Sequence, residues 1–179
     1  YSCSRCDPTL GYTCGLWQLF HIVTMGVVEW RVNNMGGKKY YTTHKVAEIL
    51  RSYIDHFFGC EECRHNFLME YESCAFGRCD RLIDEAGEVK DWMELPLWFS
   101  ELHNSVNVRL MHERAGRQAR TPTTEELSAV RWPGRLDCPS CWRSDGSWDS
   151  DKIYLFMLLF YWPEELIHQD LMPEIVSGL

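Results

Sequence analysis

Apolar residues recur along this chain at helical spacing, and no stretch alternates in the way a half-buried strand does. Residues 15–30 (GLWQLFHIVTMGVVEW) lack proline and place Trp17, Phe20, His21, Thr24 and Val28 on one helical face. The run NNMGG at 33–37 reads as a turn. From Thr43 onward Val46, Ile49, Leu50, Tyr53, Ile54, Phe57 and Phe58 form a continuous stripe, with Thr42 or Thr43 as its cap. Gly59 breaks that helix, and another starts near Cys60 and runs to about Tyr71. Residues 74–87 are polar, carry Gly77 and Gly87, and read as a loop. Residues 92–113 are helical again, with Trp98, Leu102, Val106 and Leu110 nearly in line and Pro96 expected near the start. Thr123-Thr124-Glu125-Glu126 has the form of a capping box for a short helix. Residues 132–146 are irregular, and 148–161 supply a closing helix. The pattern predicts an all-α bundle of four principal helices plus a short fifth, with residues 1–162 as the domain and 163–179 as a tail.

Composition narrows what such a bundle can do. With 179 residues, 45% hydrophobic and 13% aromatic, one domain can bury a sizeable core. Eight tryptophans suit either tight packing or a pocket for a planar ligand. A net charge of −8 argues against nucleic acid, because only residues 109–120 are locally basic. The most apolar run, IYLFMLLFYW at 153–162, is half of the roughly 20 residues that cross a bilayer, so it is expected as a buried helix. The chain opens at Tyr1 without an initiator methionine or a signal-like stretch, which suggests a processed product or a piece of something longer.

Nine cysteines change the picture most: Cys3, Cys6, Cys14, Cys60, Cys63, Cys74, Cys79, Cys138 and Cys141, including three C-x-x-C pairs. That density suits an oxidising compartment or a metal protein. Cys60-Cys63 and Cys138-Cys141 could together hold zinc, but a long helical segment separates them, unlike compact zinc modules; no metal is therefore expected. Cys74 and Cys79 flank a short loop with polar ends and read best as a local staple. Cys60-Cys63 is different, because a helix start stabilises a thiolate and thiolates drive disulfide exchange; Glu61 and Glu62 work against that effect. The βαβ pattern of a thioredoxin fold is missing, so a helical redox protein rich in aromatics points to a flavin as electron acceptor.

The stretch HNSVN adds the second piece of chemistry. On a helix His103 and Asn107 share a face with Asn104 beside them, and Trp17 and His21 pair in the same way on the first helix. Alone, the first set is as readily a satisfied polar network as a ligand site, and the second is more often core packing. Together with FFGCEEC at 57–63, LWFSELHNSVNVRL at 97–110 and WPGRLDCPSC at 132–141, and with CGLWQLFH at 14–21, they resemble the Erv/ALR flavin-dependent sulfhydryl oxidase domain. The final C-x-x-C after Trp-Pro resembles the quiescin sulfhydryl oxidase version of that domain.

The resemblance implies noncovalent FAD between the helices, with its ring next to Cys60-Cys63 and Cys63 as the charge-transfer residue. Position by position, it implies FAD contacts from Trp17, His21, Glu62, Asn66, His103, Asn104, Asn107 and Trp132. Asn66 stands where relatives often carry His or Asp. Leu10 and Ala129 replace an Arg and a Lys of some relatives, leaving Arg109 or Arg131 to supply the charge. The implied reaction is dithiol oxidation by O2 with release of hydrogen peroxide, in the secretory pathway or outside the cell. In quiescin oxidases a thioredoxin-like domain delivers the electrons, and none lies within these 179 residues. The family pattern also favours a Cys3–Cys14 staple that leaves Cys6 odd, against a Cys3-Cys6 shuttle pair as in some single-domain relatives. Homodimers, or pairing with a missing helical domain, are further implied partners, and the role of Cys138-Cys141 stays open. The reading from another class is a noncatalytic helical interaction module stabilised by disulfides or zinc.

Overall fold

A computed structural model describes residues 11–33, 41–85 and 87–167. Among these the regular elements are all helical: α1 (Gly11–Asn33), α2 (Thr43–Phe57), α3 (Glu61–Glu72), α4 (Arg78–Arg81), α5 (Val89–Arg117), α6 (Thr124–Ala129) and α7 (Ser150–Tyr161). An isolated antiparallel bridge between Trp142 and Trp148 is their one extended pairing. The chain divides into two compact units, Tyr1–Ile22 with His103–Leu179, and Val23–Leu102. None of the described helices is long and apolar enough to cross a membrane.

In the unit Val23–Leu102, α2 is set by its Thr42 cap, whose hydroxyl accepts from the Lys45 N–H at 3.0 Å. Val46, Leu50 and Ile54 are buried as the stripe requires, and α2 packs on α3. The other half of the expected stripe is not inside: Ile49 is 49% exposed, Tyr53 38% and Phe57 70%. Seven apolar residues cover more than one helix face, and a core takes only the face that meets a neighbour. Thr43 is buried and both donates to the Ile83 carbonyl and accepts its N–H, which ties the start of α2 to the segment before α5.

Residues 74–82 are not the plain loop that their polarity suggests: short helical turns there are tied to α5 by Arg81 and Trp98, and Leu82 is buried. A 3-10 turn at Ala75–Gly77 leads directly into α4. The Trp98 indole donates to the Ala75 carbonyl at 3.0 Å, and Arg81 donates to the Phe76 carbonyl at 2.8 Å. Arg81 also pairs with Glu94 and Glu101 of α5. Pro96 lies well inside α5 rather than near its start, since the helix begins at Val89. Trp98 and Leu102 are buried, whereas Leu110 is 42% exposed and drops out of the expected line.

In the unit of Tyr1–Ile22 and His103–Leu179, Thr123 and Glu126 close the expected capping box of α6. Asp149 caps α7, its carboxylate accepting from the Lys152 N–H at 3.2 Å. Ile153, Tyr154, Met157 and Leu158 bury one face of α7, while Leu159 and Phe160 stay exposed, so the apolar run is only half buried. The expected turn at 34–37, the tail beyond 167, and Cys3, Cys6 and Leu10 lie outside the described residues.

Candidate functional site

Two groups of side chains carry chemistry, one in each unit. In the first, α1 presents Trp17 and His21 one turn apart, and α5 presents His103, Asn104 and Asn107. The Trp17 and His103 rings stack with centroids 4.1 Å apart and planes 2° from parallel. His21 Nε2 meets His103 Nδ1 at 3.0 Å. Both imidazoles are buried, at 0% and 3% exposure. Burial lowers the His21 pKa well below the usual histidine value, with His103 nearby lowering it further. Burial alone takes His103 down to about 3. Both rings are therefore neutral near pH 7, and one proton links them.

Asn104 reaches into the 132–141 segment. Its amide donates to the Trp132 carbonyl and its oxygen accepts the Trp132 N–H, each at 2.7 Å. This two-point clasp fixes Trp132, which precedes a cis Trp132-Pro133 peptide, against Phe156, Phe160 and Tyr161 of α7. Tyr161 also stacks on His21 with centroids 4.8 Å apart. Sequence reasoning missed this tyrosine, since only the aromatic density of residues 153–162 pointed to it. Arg109 is engaged with Glu113 on its own helix, and Arg131 lies 6.0 Å over the Trp148 ring.

Two polar atoms in this group stand out. His103 Nε2 and Asn107 Nδ2 are buried with no hydrogen-bond partner among the described residues. Buried polar atoms are normally satisfied, and leaving each unmade costs about 1–3 kcal/mol. An imidazole nitrogen and a carboxamide N–H beside parallel aromatic rings match a planar heterocycle whose edge carries both donors and acceptors. The donor set therefore fits the adenine or isoalloxazine rings of FAD.

The second group lies on α3. Cys60 is its N-cap and is bonded to Cys63, the Cys63 N–H pointing at Cys60 Sγ at 3.3 Å. Both cysteines are half-buried, and Phe58 carries the chain into them in extended conformation. Glu61 and Glu62 occupy the first turn and are exposed; Asn66 is half-buried one turn further on. Glu62 and Asn66 thus belong to the disulfide's unit, whereas Trp17, His21, His103, Asn104, Asn107 and Trp132 cluster in the other.

Each remaining described pair also closes on itself, as Cys74–Cys79 and Cys138–Cys141. Cys14 is buried on α1; its expected bond to Cys3, and the place of Cys6, lie outside the described residues.

A helical fold with a disulfide capping one helix and a histidine–asparagine–tryptophan cluster narrows the class of protein. Residues 14–133 match the Erv1 / Alr family, and the chain belongs to that family. It is 33% identical over 161 residues to Sulfhydryl oxidase 1 of Oryza sativa subsp. japonica, covering 87% of this chain and 26% of that protein. Sulfhydryl oxidase 1 of Gallus gallus is also 33% identical, over 159 residues, 87% of this chain and 18% of that protein. Sulfhydryl oxidase 1 of Homo sapiens is 28% identical over 169 residues, 92% of this chain and 20% of that protein. The chain thus spans about a quarter or less of these curated relatives. No solved structure matches it.

Proposed function

We propose that this chain is the oxidase domain of an FAD-dependent thiol oxidase, residues 1–162 forming the domain, with Cys60–Cys63 as its redox disulfide. The observation that carries the reading is the pair of buried, unsatisfied atoms His103 Nε2 and Asn107 Nδ2 beside the Trp17–His103 stack, in a chain of the Erv1/Alr family. Trp17, His21, His103, Asn104, Asn107 and Trp132 hold the cofactor, with Glu62 and Asn66 contributing from α3. Bound FAD supplies the two-electron chemistry that couples dithiol oxidation to reduction of O2 to H2O2.

The protein's own residues do the thiol chemistry. A substrate thiolate attacks Cys60 Sγ, forming a mixed disulfide and releasing Cys63 as a thiolate. The second substrate sulfur then displaces Cys60, and the product disulfide departs. The Cys63 N–H at the helix end stabilises the Cys60 thiolate at that moment, which makes Cys60 a good leaving group. The neutral His21–His103 pair keeps net charge out of the buried cofactor cluster and offers hydrogen bonds instead. Substrates are dithiols and O2, and the disulfide density fits the secretory pathway or the cell exterior. A thioredoxin-like electron donor, and self-association or pairing with another helical domain, complete the working assembly.

The test is a purified protein with a visible spectrum. A flavin band, oxygen uptake with dithiothreitol, and loss of that uptake in Cys60→Ser and Cys63→Ser support the reading. Protein that neither carries nor takes up FAD overturns it in favour of a noncatalytic helical module.

A further inference from the structure

We propose that Cys74–Cys79 is a second thiol–disulfide exchange site, a modification site for small monothiols of the glutathione type, activated by Arg78. The disulfide lies beyond the end of α3, and Cys79 is exposed while Cys74 is half-buried. The α3 helix that separates it from Cys60–Cys63 has 12 residues, about 18 Å of axial rise, so the two disulfides do not exchange directly.

What sets this disulfide apart is the cation held against it. Arg78 is only 8% exposed. Its Nη2 lies 3.4 Å from Cys79 Sγ and 3.8 Å from Cys74 Sγ. Its Nε donates to the Tyr71 carbonyl at 3.0 Å, and the guanidinium sits 3.7 Å from the Tyr71 ring centroid. No carboxylate among the described residues is within ion-pair distance of it. The nearby charges are committed elsewhere: Glu72 pairs with Arg51, Arg81 pairs with Glu94 and Glu101, and Asp80 is exposed. A buried guanidinium without a counter-ion is costly, and the sulfur of a closed disulfide is only a weak acceptor. A thiolate at the same place is a charge-assisted partner, so opening the disulfide gives the cation what it lacks.

The backbone adds to this. Cys74 and Phe76 both have φ of 56°, in the left-handed region that side chains other than glycine seldom adopt. Opening the disulfide need not dismantle the segment, because Trp98 still holds Ala75 and Arg81 still holds Phe76. The step balances as a simple exchange. An incoming thiolate attacks exposed Cys79 Sγ, a new bond forms between the two sulfurs, and Cys74 leaves as a thiolate beside Arg78. A second monothiol resolves the mixed disulfide, giving the oxidised small thiol and a Cys74/Cys79 dithiol.

The experiment equilibrates the protein in glutathione redox buffers under nitrogen, quenches with acid and maps every cysteine by mass spectrometry. Cys138–Cys141, with Cys141 fully buried, is the internal reference. Cys74–Cys79 is expected to open at a milder glutathione ratio than the reference, with the adduct on Cys79. In Arg78→Gln its midpoint moves about tenfold toward more reducing buffer, and Arg78→Lys recovers most of that shift. Because Arg78 also packs on Tyr71, a second measurement uses the unaltered protein: the pH profile of alkylation after mild reduction. One of the two thiols is expected to titrate well below the ordinary value of about 8.5. A disulfide that stays closed until the protein unfolds, an adduct confined to Cys74, or an ordinary alkylation profile each overturns the proposal.

Discussion

At the scale of single residues the cluster of His21, His103, Asn104 and Trp132 depends on two pairings that can be broken separately. Asn104→Ala removes both 2.7 Å bonds to Trp132 and leaves a buried carbonyl and N–H unmade. The expected loss is about 2–3 kcal/mol, a melting temperature lower by about 4–10 °C, together with weaker flavin retention. Calorimetry and the flavin content of the purified variant check both. The His21–His103 pair gives a pH signature. His103 titrates at about 3 when folded and near 6.5 when unfolded, so between those values the unfolded chain binds more protons. Stability is therefore full above about pH 6.5 and declines as the pH falls toward 3. At pH 5 His103 alone accounts for about 2 kcal/mol, and His21 shifts in the same direction. Exposed carboxylates with lowered values, such as Glu126 at about 2, act only below the ordinary carboxylate range, and Glu101, whose carboxyl burial raises, works in the opposite sense, so a loss of stability from pH 6.5 to 5 carries the sign of the histidines. Urea titrations at pH 7.5, 6 and 5 should show this loss, shrunken in His103→Asn; a flat profile refutes a neutral buried pair.

At the scale of elements, legibility followed periodicity and stopped where partners are distant in sequence. Val46, Leu50 and Ile54 could be read as buried from spacing alone, as could the shared face of Trp17 and His21. The exposure of Ile49, Tyr53 and Phe57 could not, because a stripe records which faces are apolar and not which one a neighbour covers. His103, Asn104 and Asn107 declared themselves as polar residues inside an apolar helix. The Asn104–Trp132 clasp and the His21–Tyr161 stack cross long sequence gaps and leave no local signal. The helical turns at 75–81 leave no apolar period to read, because Arg81 and the Trp98 indole hold them through the Phe76 and Ala75 carbonyls, and pattern reading assigns arginine to solvent. That origin is testable. Arg81→Met strips Glu94 and Glu101 of their partner and frees the Phe76 carbonyl, at an expected cost of about 1–3 kcal/mol. Burial already pushes the Glu101 carboxyl upward, with Arg81 opposing it, so Glu101→Gln added to Arg81→Met should recover part of the loss. Recovery no greater than for a distant Glu→Gln control would show that the network does not couple α4 to α5.

At the scale of the whole molecule the dominant fact is charge. The chain carries −8 at neutral pH, and the exposed Glu61 and Glu62 sit in the first turn of the helix that Cys60–Cys63 caps. Under the proposed chemistry the thiolate that attacks Cys60 is anionic, so both the global field and the nearest side chains oppose its approach. A substrate that carries a compensating positive charge escapes part of that opposition. Cysteamine and 2-mercaptoethanesulfonate differ mainly in the sign of the charge beside the thiol, and their rates can be compared at equal thiolate concentration. Cysteamine should show the higher kcat/KM at low ionic strength, by severalfold, and the ratio should fall toward one as salt rises to about 0.5 M, where the screening length is only a few ångströms. The salt dependence of the ratio is the decisive quantity, since intrinsic differences between the two thiols do not vary with screening. Glu61→Gln with Glu62→Gln separates local from global origins: it should flatten most of the salt dependence if the two helix-end carboxylates dominate, and little of it if the net charge does. A ratio unchanged by salt in the unaltered protein would mean that the field at Cys60 is set by the helix end alone, with the thiolate-stabilising N–H groups offsetting both glutamates.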